Sequence, residues 1–245
     1  MTNLEQHEIL TGLAGRGYGA GALVCAFPET VGSTNDECLQ LLRSGAKRAM
    51  VLADAQSAGR GRCGRSFYSP PGAGLYLSVG CVDWGGAEGL TSFAAVAAAE
   101  RIEALTGLKC QIKWVNDLYL DGRKVCGILT EAVGGCVIVG IGINLTASAV
   151  PEELRDVMGW LGRGGVRAPL AAELTAALLD FRPGDTTHMA EYRRRSLVLG
   201  KDVKFLLNGV ERDGRATDVR DDGALVVLSR GERVVLQSGE VSIKI

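Results

Sequence analysis

Residues 113–144 read KWVNDLYLDGRKVCGILTEAVGGCVIVGIGIN. Within this stretch, Asp121-Gly122 and Gly134-Gly135 each stand between two runs of strand-forming residues. Dipeptides of this composition favour the two-residue turns of β-hairpins, because both turn positions adopt positive φ. The stretch therefore predicts three successive antiparallel strands.

The two predicted turns also define which residues face each other. A loop at 121–122 sets residue 117 opposite 126 and places Asp117 and Lys124 on one face of the sheet. The second turn sets residue 127 opposite 142 and places Asn116 and Asn144 together on the other face. One ligand cannot easily touch both faces. Either a bulge near Gly127 shifts the register, or only one of the pairs belongs to a site. Taken singly, each side chain is more simply explained by an ordinary role at a strand end or on a solvated hairpin.

The flanking sequence predicts an α+β protein with two domains. Apolar runs predict strands at residues 22–27, 49–53 and 74–82. Helical spacing predicts helices at residues 35–43, with a hydroxyl cap from the preceding cluster, and at 90–105, 151–160, 168–181 and 187–197. After Gly200, short alternating runs are separated by Asn208-Gly209, Asp213-Gly214, Asp222-Gly223 and Arg230-Gly231. This pattern predicts a small barrel of about five strands. The chain is therefore predicted to have a larger domain over residues 1–199 and a smaller one over 200–245.

A loop rich in Gly and Arg follows the second predicted strand. The segment Gly59–Arg65 reads GRGRCGR and brings three guanidinium groups into seven residues, which we call the Arg loop. Guanidinium groups suit carboxylate and phosphate oxygens, and a Gly-rich backbone can close over a ligand and exclude water. The loop therefore predicts an anion-binding site. The alternative is an exposed polar loop or a nucleic-acid-binding RG segment.

Polar residues near the start of the second predicted element form another candidate site. Ser33, Thr34 and Asn35 precede a predicted helix, where a helix cap is the default interpretation. The same hydroxyl and amide groups could bind a polar ligand. Gln56, just before the Arg loop, is open to the same two interpretations.

Composition excludes several classes of protein. The chain has 245 residues with 27 Lys and Arg against 28 Asp and Glu, so no basic field indicates a nucleic-acid partner. Its seven cysteines form no CxxC pair, which disfavours a disulfide framework or a structural zinc site and is typical of a reducing cytoplasm. No apolar stretch has the length of a signal or membrane segment. We therefore expect a soluble cytoplasmic protein.

Five motifs in order resemble those of the biotin protein ligase family. They are STN at 33–35, Gln56 with AGRGRCGR at 58–65, KWVNDLYL at 113–120, RKVCGIL at 123–129 and GIN at 142–144. Their order and spacing match over roughly residues 20–145. The resemblance implies a mixed sheet flanked by helices, similar to the catalytic domain of class II aminoacyl-tRNA synthetases and lipoate ligases, followed by an SH3-like barrel.

The resemblance also implies an activity and a set of site residues. The expected reaction is ATP-dependent biotinylation, through biotinyl-5′-AMP, of a lysine on the biotin carboxyl carrier domain of acetyl-CoA carboxylase or a related enzyme, with Mg²⁺. The implied catalytic residues are Lys124, Asp117 and Arg62. The implied biotin-binding residues are Ser33, Thr34, Asn35, Gln56, Gly59, Arg60, Gly61, Arg62, Lys124 and Gly127. The implied ATP-binding residues are Arg60, Arg62, Arg65, Phe67, Asn116, Lys124 and Asn144, with Phe67 packing on adenine.

Two positions depart from the family pattern. Val115 stands where the family usually has Pro, and Cys63 stands at a position that is more often basic. Larger members carry an N-terminal DNA-binding winged helix, but here the first motif begins at residue 33. We therefore expect a ligase without repressor activity. Because members of the family occur as monomers and dimers, the resemblance implies a monomer or a weak dimer. The rival functions are a lipoate or octanoate ligase, a non-catalytic nucleic-acid-binding module, and an inactive biotin sensor.

Overall fold

The computed structural model describes residues 1–147, 150–207, 209–239 and 241–243. The described residues form five α-helices: α1 (Asn3–Ala14), α2 (Thr34–Arg43), α3 (Leu90–Thr106), α4 (Arg167–Leu179) and α5 (Met189–Arg195). None of these helices has the length and apolar composition of a membrane span.

A seven-stranded mixed sheet forms the centre of the molecule. Its strands are β1 (Val24–Ala26), β3 (Arg48–Ala53), β5 (Gly74–Cys81), β6 (Gln111–Lys113), β7 (Asp117–Leu120), β8 (Arg123–Val133) and β9 (Cys136–Asn144), while β2 (Thr30–Val31) and β4 (Ala55–Gln56) pair separately. Their spatial order is β1-β3-β5-β9-β8-β7-β6. The β1–β3 pair is parallel and the other pairs of this sheet are antiparallel. This is the mixed sheet that the resemblance implied.

Helices cover both faces of this sheet. In β3, Met50 and Leu52 belong to the main core with α1, α3 and α4, whereas the alternate residues Ala49 and Val51 pack with Cys38 of α2. Successive strand residues point to opposite faces, so this alternation shows that α2 lies on the face opposite the other helices. The strand is buried on both sides, which explains its uninterrupted apolar sequence.

A five-stranded antiparallel sheet follows, in the order β13-β12-β11-β10-β14. Its strands are β10 (Asp202–Leu207), β11 (Val210–Val219), β12 (Leu225–Ser229), β13 (Glu232–Leu236) and β14 (Val241–Ile243). Its buried residues, such as Phe205 and Leu225, join the same core cluster as Trp114. The indole nitrogen of Trp114 donates to the carbonyl oxygen of Gly223 at 2.9 Å. The two sheets are therefore packed together, while the domain boundary at 199/200 and the SH3-like closure stay predictions.

Three features differ from the sequence-based expectations. The helix predicted at 151–160 is wrong: Glu152–Leu154 forms a short 3₁₀ turn, and residues 157–159 instead run beside Lys124. Asp213-Gly214 is not a turn but lies inside β11, where a Cβ on Gly214 would be 2.5 Å from Cγ1 of Val227. The predicted turn at Asn208-Gly209 lies partly outside the described residues.

Helix α1 was not anticipated, although its start has a readable signal. Thr2 and Glu5 form a capping box, in which the Glu5 amide donates to the Thr2 hydroxyl at 3.2 Å and the Thr2 amide donates to the Glu5 carboxylate at 2.8 Å.

Candidate active site

A β-bulge in β8 determines the geometry of the site. The turns at Asp121-Gly122 and Gly134-Gly135 are confirmed, with positive φ at all four residues. Residue 127 pairs with 142 as predicted, but residue 117 also pairs with 127 instead of 126. One residue, Val125, is extra on β8.

The bulge explains how side chains that were predicted on opposite faces of the sheet can lie on the same face. Across β7 and β8, Tyr119 faces Lys124 and Asp117 faces Gly127. Paired residues of antiparallel strands share a face, so Lys124, Asp117 and Gly127 lie on the same side of the sheet. Gly142, opposite Gly127, is on that side too, and by alternation so is Asn144. The expected separation of Asn144 from Lys124 onto opposite faces is therefore wrong.

Lys124 and Asp117 form a close ion pair on this shared face. Lys124 Nζ lies 2.7 Å from Asp117 Oδ1, and the two side chains are 34% and 22% exposed. Partial burial lowers the screening by water, so the pair is stronger than a fully exposed one. Both charges still reach a cavity of about 240 Å³.

The cavity brings together most of the predicted site residues. Those that line it are Ser33, Thr34, Asn35, Gln56, Arg60, Gly61, Arg62, Arg65, Phe67, Asn116, Asp117, Lys124 and Gly127. Gly59 and Asn144 are not among the lining residues. A Cβ on Gly59 would lie 2.5 Å from the carbonyl oxygen of Phe67, so this glycine permits the close approach of two loop strands.

One end of the cavity is a hydrogen-bonded network of small polar groups. Gln56 Oε1 accepts from the Thr34 amide at 2.9 Å, and Gln56 Nε2 donates to Ser69 Oγ at 2.9 Å. The hydroxyl of Ser78, which is fully buried, lies 2.7 Å from Thr34 Oγ1 and 2.6 Å from Asn35 Oδ1. Ser33 is the N-cap residue of α2, but its hydroxyl makes no capping hydrogen bond, so the predicted hydroxyl cap is wrong.

Arg60 holds one side of the Arg loop against the body of the protein. Its guanidinium donates to both carboxylate oxygens of Asp36, at 2.6 and 2.7 Å, and lies 3.2 Å from Glu131. The hydrogen bond from Arg60 holds the pKa of Asp36 below its ordinary value. The pKa of Arg60 is raised, chiefly by its hydrogen bond to Asp36. Arg60 is thus engaged by two carboxylates at the rim of the cavity.

Arg62 and Phe67 occupy the opposite side of the cavity. Arg62 Nη1 donates to Asn116 Oδ1 at 3.3 Å, and Asn116 Nδ2 donates to the Ile128 carbonyl at 2.7 Å. The ring of Phe67 lies over two facing glycines: a Cβ on Gly142 would be 2.4 Å from the ring, and one on Gly127 would be 3.1 Å from it. Glycine at both positions leaves room for a flat aromatic group on the sheet.

Carboxylates in this site are few. Asp117 is the one acidic side chain among the described lining residues. The described residues also contain no cluster of three or more His, Cys, Asp or Glu side chains suited to a metal ion. A divalent cation bound here would therefore need most of its oxygen ligands from a substrate.

Comparison with known proteins assigns the family. Residues 28–146 match the biotin/lipoate A/B protein ligase family. The chain is 33% identical to the biotin--[acetyl-CoA-carboxylase] ligase of Mycobacterium tuberculosis, over 92% of this chain and 91% of that protein. The chain belongs to the biotin protein ligase family.

Two further comparisons agree. The bifunctional ligase/repressor BirA of Escherichia coli is 31% identical over 91% of this chain and 75% of its own length. The solved structure of the Aquifex aeolicus biotin protein ligase in complex with biotin and ATP superposes with a TM-score of 0.76 and 26% identity, over 90% of this chain and 98% of that one. The fold is thus that of a biotin protein ligase, with a C-terminal antiparallel sheet.

Several residues of this biotin ligase cavity were not assigned from the sequence. They include Ser66, Lys113, Trp114, Ile128, Leu129, Gly140, Ile141, Gly142, Gly239, Val241 and Ser242. Gly140 and Gly142 alternate on β9, and this spacing was a readable sign of a sheet face that a ligand approaches closely. Val241 and Ser242 belong to β14 of the second sheet and Gly239 precedes that strand, and no local pattern connects these three residues with a cavity about 100 residues upstream.

Proposed function

We propose that this chain is an ATP-dependent biotin protein ligase that forms biotinyl-5′-AMP and transfers the biotinyl group to a lysine of a carrier domain. The observation that supports it most directly is the Lys124–Asp117 pair, which shares one cavity with Arg60, Arg62 and Arg65. The named activities of the relatives agree with this proposal.

The first step joins two anions. A biotin carboxylate oxygen attacks the α-phosphorus of ATP, the bond between that phosphorus and the bridging oxygen breaks, and pyrophosphate leaves. Lys124 places a positive charge between carboxylate and α-phosphate, which lowers their mutual repulsion and stabilises the charge that develops in the transition state. Arg62 and Arg65 would neutralise the remaining phosphate oxygens. Asp117, at 2.7 Å, orients the lysine.

The second step is acyl transfer from the mixed anhydride. The neutral amine of the carrier lysine attacks the biotinyl carbonyl carbon, AMP leaves with the electron pair of the broken bond, and the amide nitrogen loses a proton. No enzyme group becomes acylated. Positioning and electrostatic stabilisation are sufficient for both steps, provided that the Arg loop excludes water from the adenylate.

The two ends of the cavity suit the two substrates. The hydrogen-bonded Thr34, Asn35 and Gln56 would offer hydroxyl and amide groups for the ureido ring and side chain of biotin. Further polar and backbone groups would come from the nearby Ser33, Gly59, Arg60, Gly61 and Gly127. Phe67 and Asn116 provide an aromatic face and an amide for adenine.

Magnesium, the carrier and the compartment are parts of the same proposal. Mg²⁺ would arrive bound to the ATP phosphates, with Asp117 as the nearby protein carboxylate, and it would neutralise phosphate charge. The protein partner would be the biotin carboxyl carrier domain of acetyl-CoA carboxylase or a related carboxylase. The enzyme would act in the cytoplasm, as a monomer or weak dimer.

The test is direct transfer. The purified chain is incubated with biotin, magnesium ATP and a biotin carboxyl carrier domain, and the carrier mass is measured. We expect the mass increase of one biotinyl group on one lysine, which disappears when that lysine is replaced by Arg. Absence of both carrier modification and pyrophosphate release would contradict the proposal and favour a non-catalytic biotin binder.

Substrate choice is tested in the same assay. The family also includes lipoate ligases, so lipoate and octanoate are offered in place of biotin. The polar Thr34–Gln56–Ser78 network favours a ligand with several hydrogen-bonding groups, and we expect modification with biotin alone. Preferential transfer of lipoate or octanoate would assign the alternative activity.

A further inference from the structure

A second lysine, which the proposed reaction does not use, lines the cavity. Lys113 belongs to β6, the edge strand of the seven-stranded sheet, and pairs with Asp117 of β7. Paired residues of antiparallel strands share a face, so Lys113 lies on the same face as Asp117 and Lys124. Since β7 lies between β8 and β6, Lys113 is on the outer side of the Lys124–Asp117 pair.

The ammonium group of Lys113 is held by an aromatic ring. Its Nζ lies 5.4 Å from the ring centroid of Tyr119, within the range of a cation–π contact. Asp117 is instead paired with Lys124, at 2.7 Å. Among the residues that the structure describes, no carboxylate forms an ion pair with Lys113. The charge of Lys113 is therefore positioned without being neutralised, and it can take an anionic ligand.

Arg65 brings another positive charge to the same region of the cavity. It is a lining residue too. Burial raises the pKa of Tyr119, and the Asp117 carboxylate raises it further, whereas the Arg65 guanidinium opposes this shift. Arg65 and Asp117 are therefore both within electrostatic range of the Tyr119 hydroxyl. This edge of the sheet combines two cations with one carboxylate whose charge Lys124 already balances.

The order of the side chains across the sheet matches the order of the reacting groups. The proposed biotin end lies over β5 and β9, where Ser78 contacts Asn35 and a Cβ on Gly140 would be 2.4 Å from Asn35 Oδ1. Lys124 follows on β8, and Lys113 lies beyond it on β6. In transfer at phosphorus, the attacking and leaving oxygens are roughly in line. A carboxylate that attacks from the side of β9 therefore expels pyrophosphate toward β6.

We propose that Lys113 binds the β- and γ-phosphates of ATP and the pyrophosphate that leaves, while Lys124 serves the α-phosphate. This inference rests on the proposed ligase function. When the bond between the α-phosphorus and the bridging oxygen breaks, that oxygen keeps the electron pair, and Lys113 stabilises the charge on the departing pyrophosphate. The transfer of biotin to the carrier involves no pyrophosphate, so Lys113 has no part in that step.

Equilibrium binding tests this subsite without catalysis. Lys113→Met removes the charge and keeps an apolar stem for the contact with Tyr119, whereas Lys113→Arg keeps the charge. Calorimetry with biotin and magnesium present compares α,β-methylene-ATP, which cannot react, with AMP. We expect Lys113→Met to bind the ATP analogue about tenfold more weakly and AMP within about twofold of the unmodified chain, and Lys113→Arg to recover most of the loss.

The matched control is Lys109→Met, because Lys109 is exposed just before β6 and lies 3.8 Å from Glu103. It should change neither affinity. Equal losses for the analogue and for AMP in Lys113→Met, or no loss of analogue affinity, overturn the inference. So does an unmodified chain that does not bind the analogue.

The two half-reactions give a kinetic test. In the conversion of biotinyl-AMP and pyrophosphate to biotin and ATP, Lys113→Met should raise KM for magnesium pyrophosphate about tenfold, whereas transfer from preformed biotinyl-AMP to the carrier should keep its rate within about twofold. Slower carrier transfer with an unchanged KM for pyrophosphate would instead assign Lys113 to carrier docking, against the inference.

Tyr119 provides a second pair of variants that leave the lysine in place, should Lys113→Met fail to fold. Tyr119→Leu removes the ring face and should raise KM for pyrophosphate about two- to fivefold, while Tyr119→Phe keeps the ring and should not. Equal values in the two variants contradict the positioning of Lys113 by the ring. Should the unmodified chain form no biotinyl-AMP, the ligase proposal fails, while calorimetry still decides whether Lys113 contacts the outer phosphates.

Discussion

Gly142 lies against the ring of Phe67: a Cβ built on Gly142 would be 2.4 Å from Cε1 and 2.5 Å from Cζ of that ring. We therefore expect Gly142→Ala to displace Phe67 and to lower the free energy of unfolding by about 1–3 kcal/mol, the usual cost of overpacking. In a Phe67→Ala background the same change should cost much less, because the clash is gone. Urea unfolding of the four variants measures this coupling. An equal cost in both backgrounds would contradict the contact.

Ser78 contacts two side chains at the proposed biotin-binding end of the cavity. Ser78→Ala removes the hydroxyl that bridges Thr34 and Asn35, so each of these side chains loses one hydrogen-bond partner. Thr34 keeps its contact with Gln56, and Asn35 keeps its contact with Glu131. We expect biotin affinity to fall about tenfold, the scale of one unsatisfied buried hydrogen bond. The matched control is Ser229→Ala, because Ser229 is also buried and donates to the Asp213 carbonyl in the other sheet. The control should lose stability but keep its biotin affinity in calorimetry.

The Arg60–Asp36 pair should restrain the Arg loop in the free protein. Asp36→Asn removes the carboxylate charge, and we expect trypsin to cleave within the loop about two- to fivefold faster, since a half-exposed ion pair contributes little. Asp202→Asn, which weakens the exposed pair with Arg215, serves as the control.

This restraint also has a defined pH window. Because the pKa of Asp36 is lowered in the folded protein, the contact is fully present above the ordinary pKa of 3.8 and is lost as pH falls through the lower value. The ratio of the Asp36→Asn cleavage rate to that of the unmodified chain should be the same at pH 5 and at pH 8. A ratio that differs between these pH values would contradict this assignment.

His188 makes stability depend on pH well away from the site. Its ring Nε2 lies 2.9 Å from Ser92 Oγ, and burial lowers its pKa below 6.5. As pH falls below about 6.5, the imidazole of His188 therefore takes up a proton more readily in the unfolded chain than in the folded protein. The contribution of His188 to the free energy of unfolding is fully present above about pH 6.5 and falls on acidification below it. We expect His188→Gln to reduce the pH dependence of the free energy of unfolding between pH 5 and 6.5. His7→Gln, at an exposed position, should leave the slope unchanged.

Local sequence was sufficient to predict the two hairpins and most of the assigned residues that line the cavity. Asp121-Gly122 and Gly134-Gly135 predict their own turns because positive φ is a property of the turn residues themselves. The motifs that lie on those hairpins and on the Arg loop accordingly contributed most of the predicted site residues that line the cavity.

A bulge near Gly127 was one of the two alternatives that the sequence offered, and the structure confirms it, but the sequence did not indicate Val125 as the extra residue. Val125 packs against Gly159, which lies 34 positions further along the chain, and no pattern within β8 encodes that contact. Likewise, residues 151–160 have a helical pattern, but hydrogen bonds to the Lys124 backbone hold residues 157–159 beside β8. The carboxylate partners of Arg60 are 24 and 71 positions away, which only the folded chain brings together.

The central claim is that the ammonium group of Lys124 promotes the joining of biotin and ATP. Single-turnover formation of biotinyl-AMP is therefore compared in the unmodified chain, in Lys124→Ala, and in Lys204→Ala, whose exposed lysine pairs with Glu211 at 2.9 Å across a hairpin of the other sheet. We predict a rate about a hundredfold to a thousandfold lower for Lys124→Ala, the scale expected for one transition-state charge contact, and no change for Lys204→Ala. A Lys124→Ala rate within threefold of the unmodified chain would contradict the account.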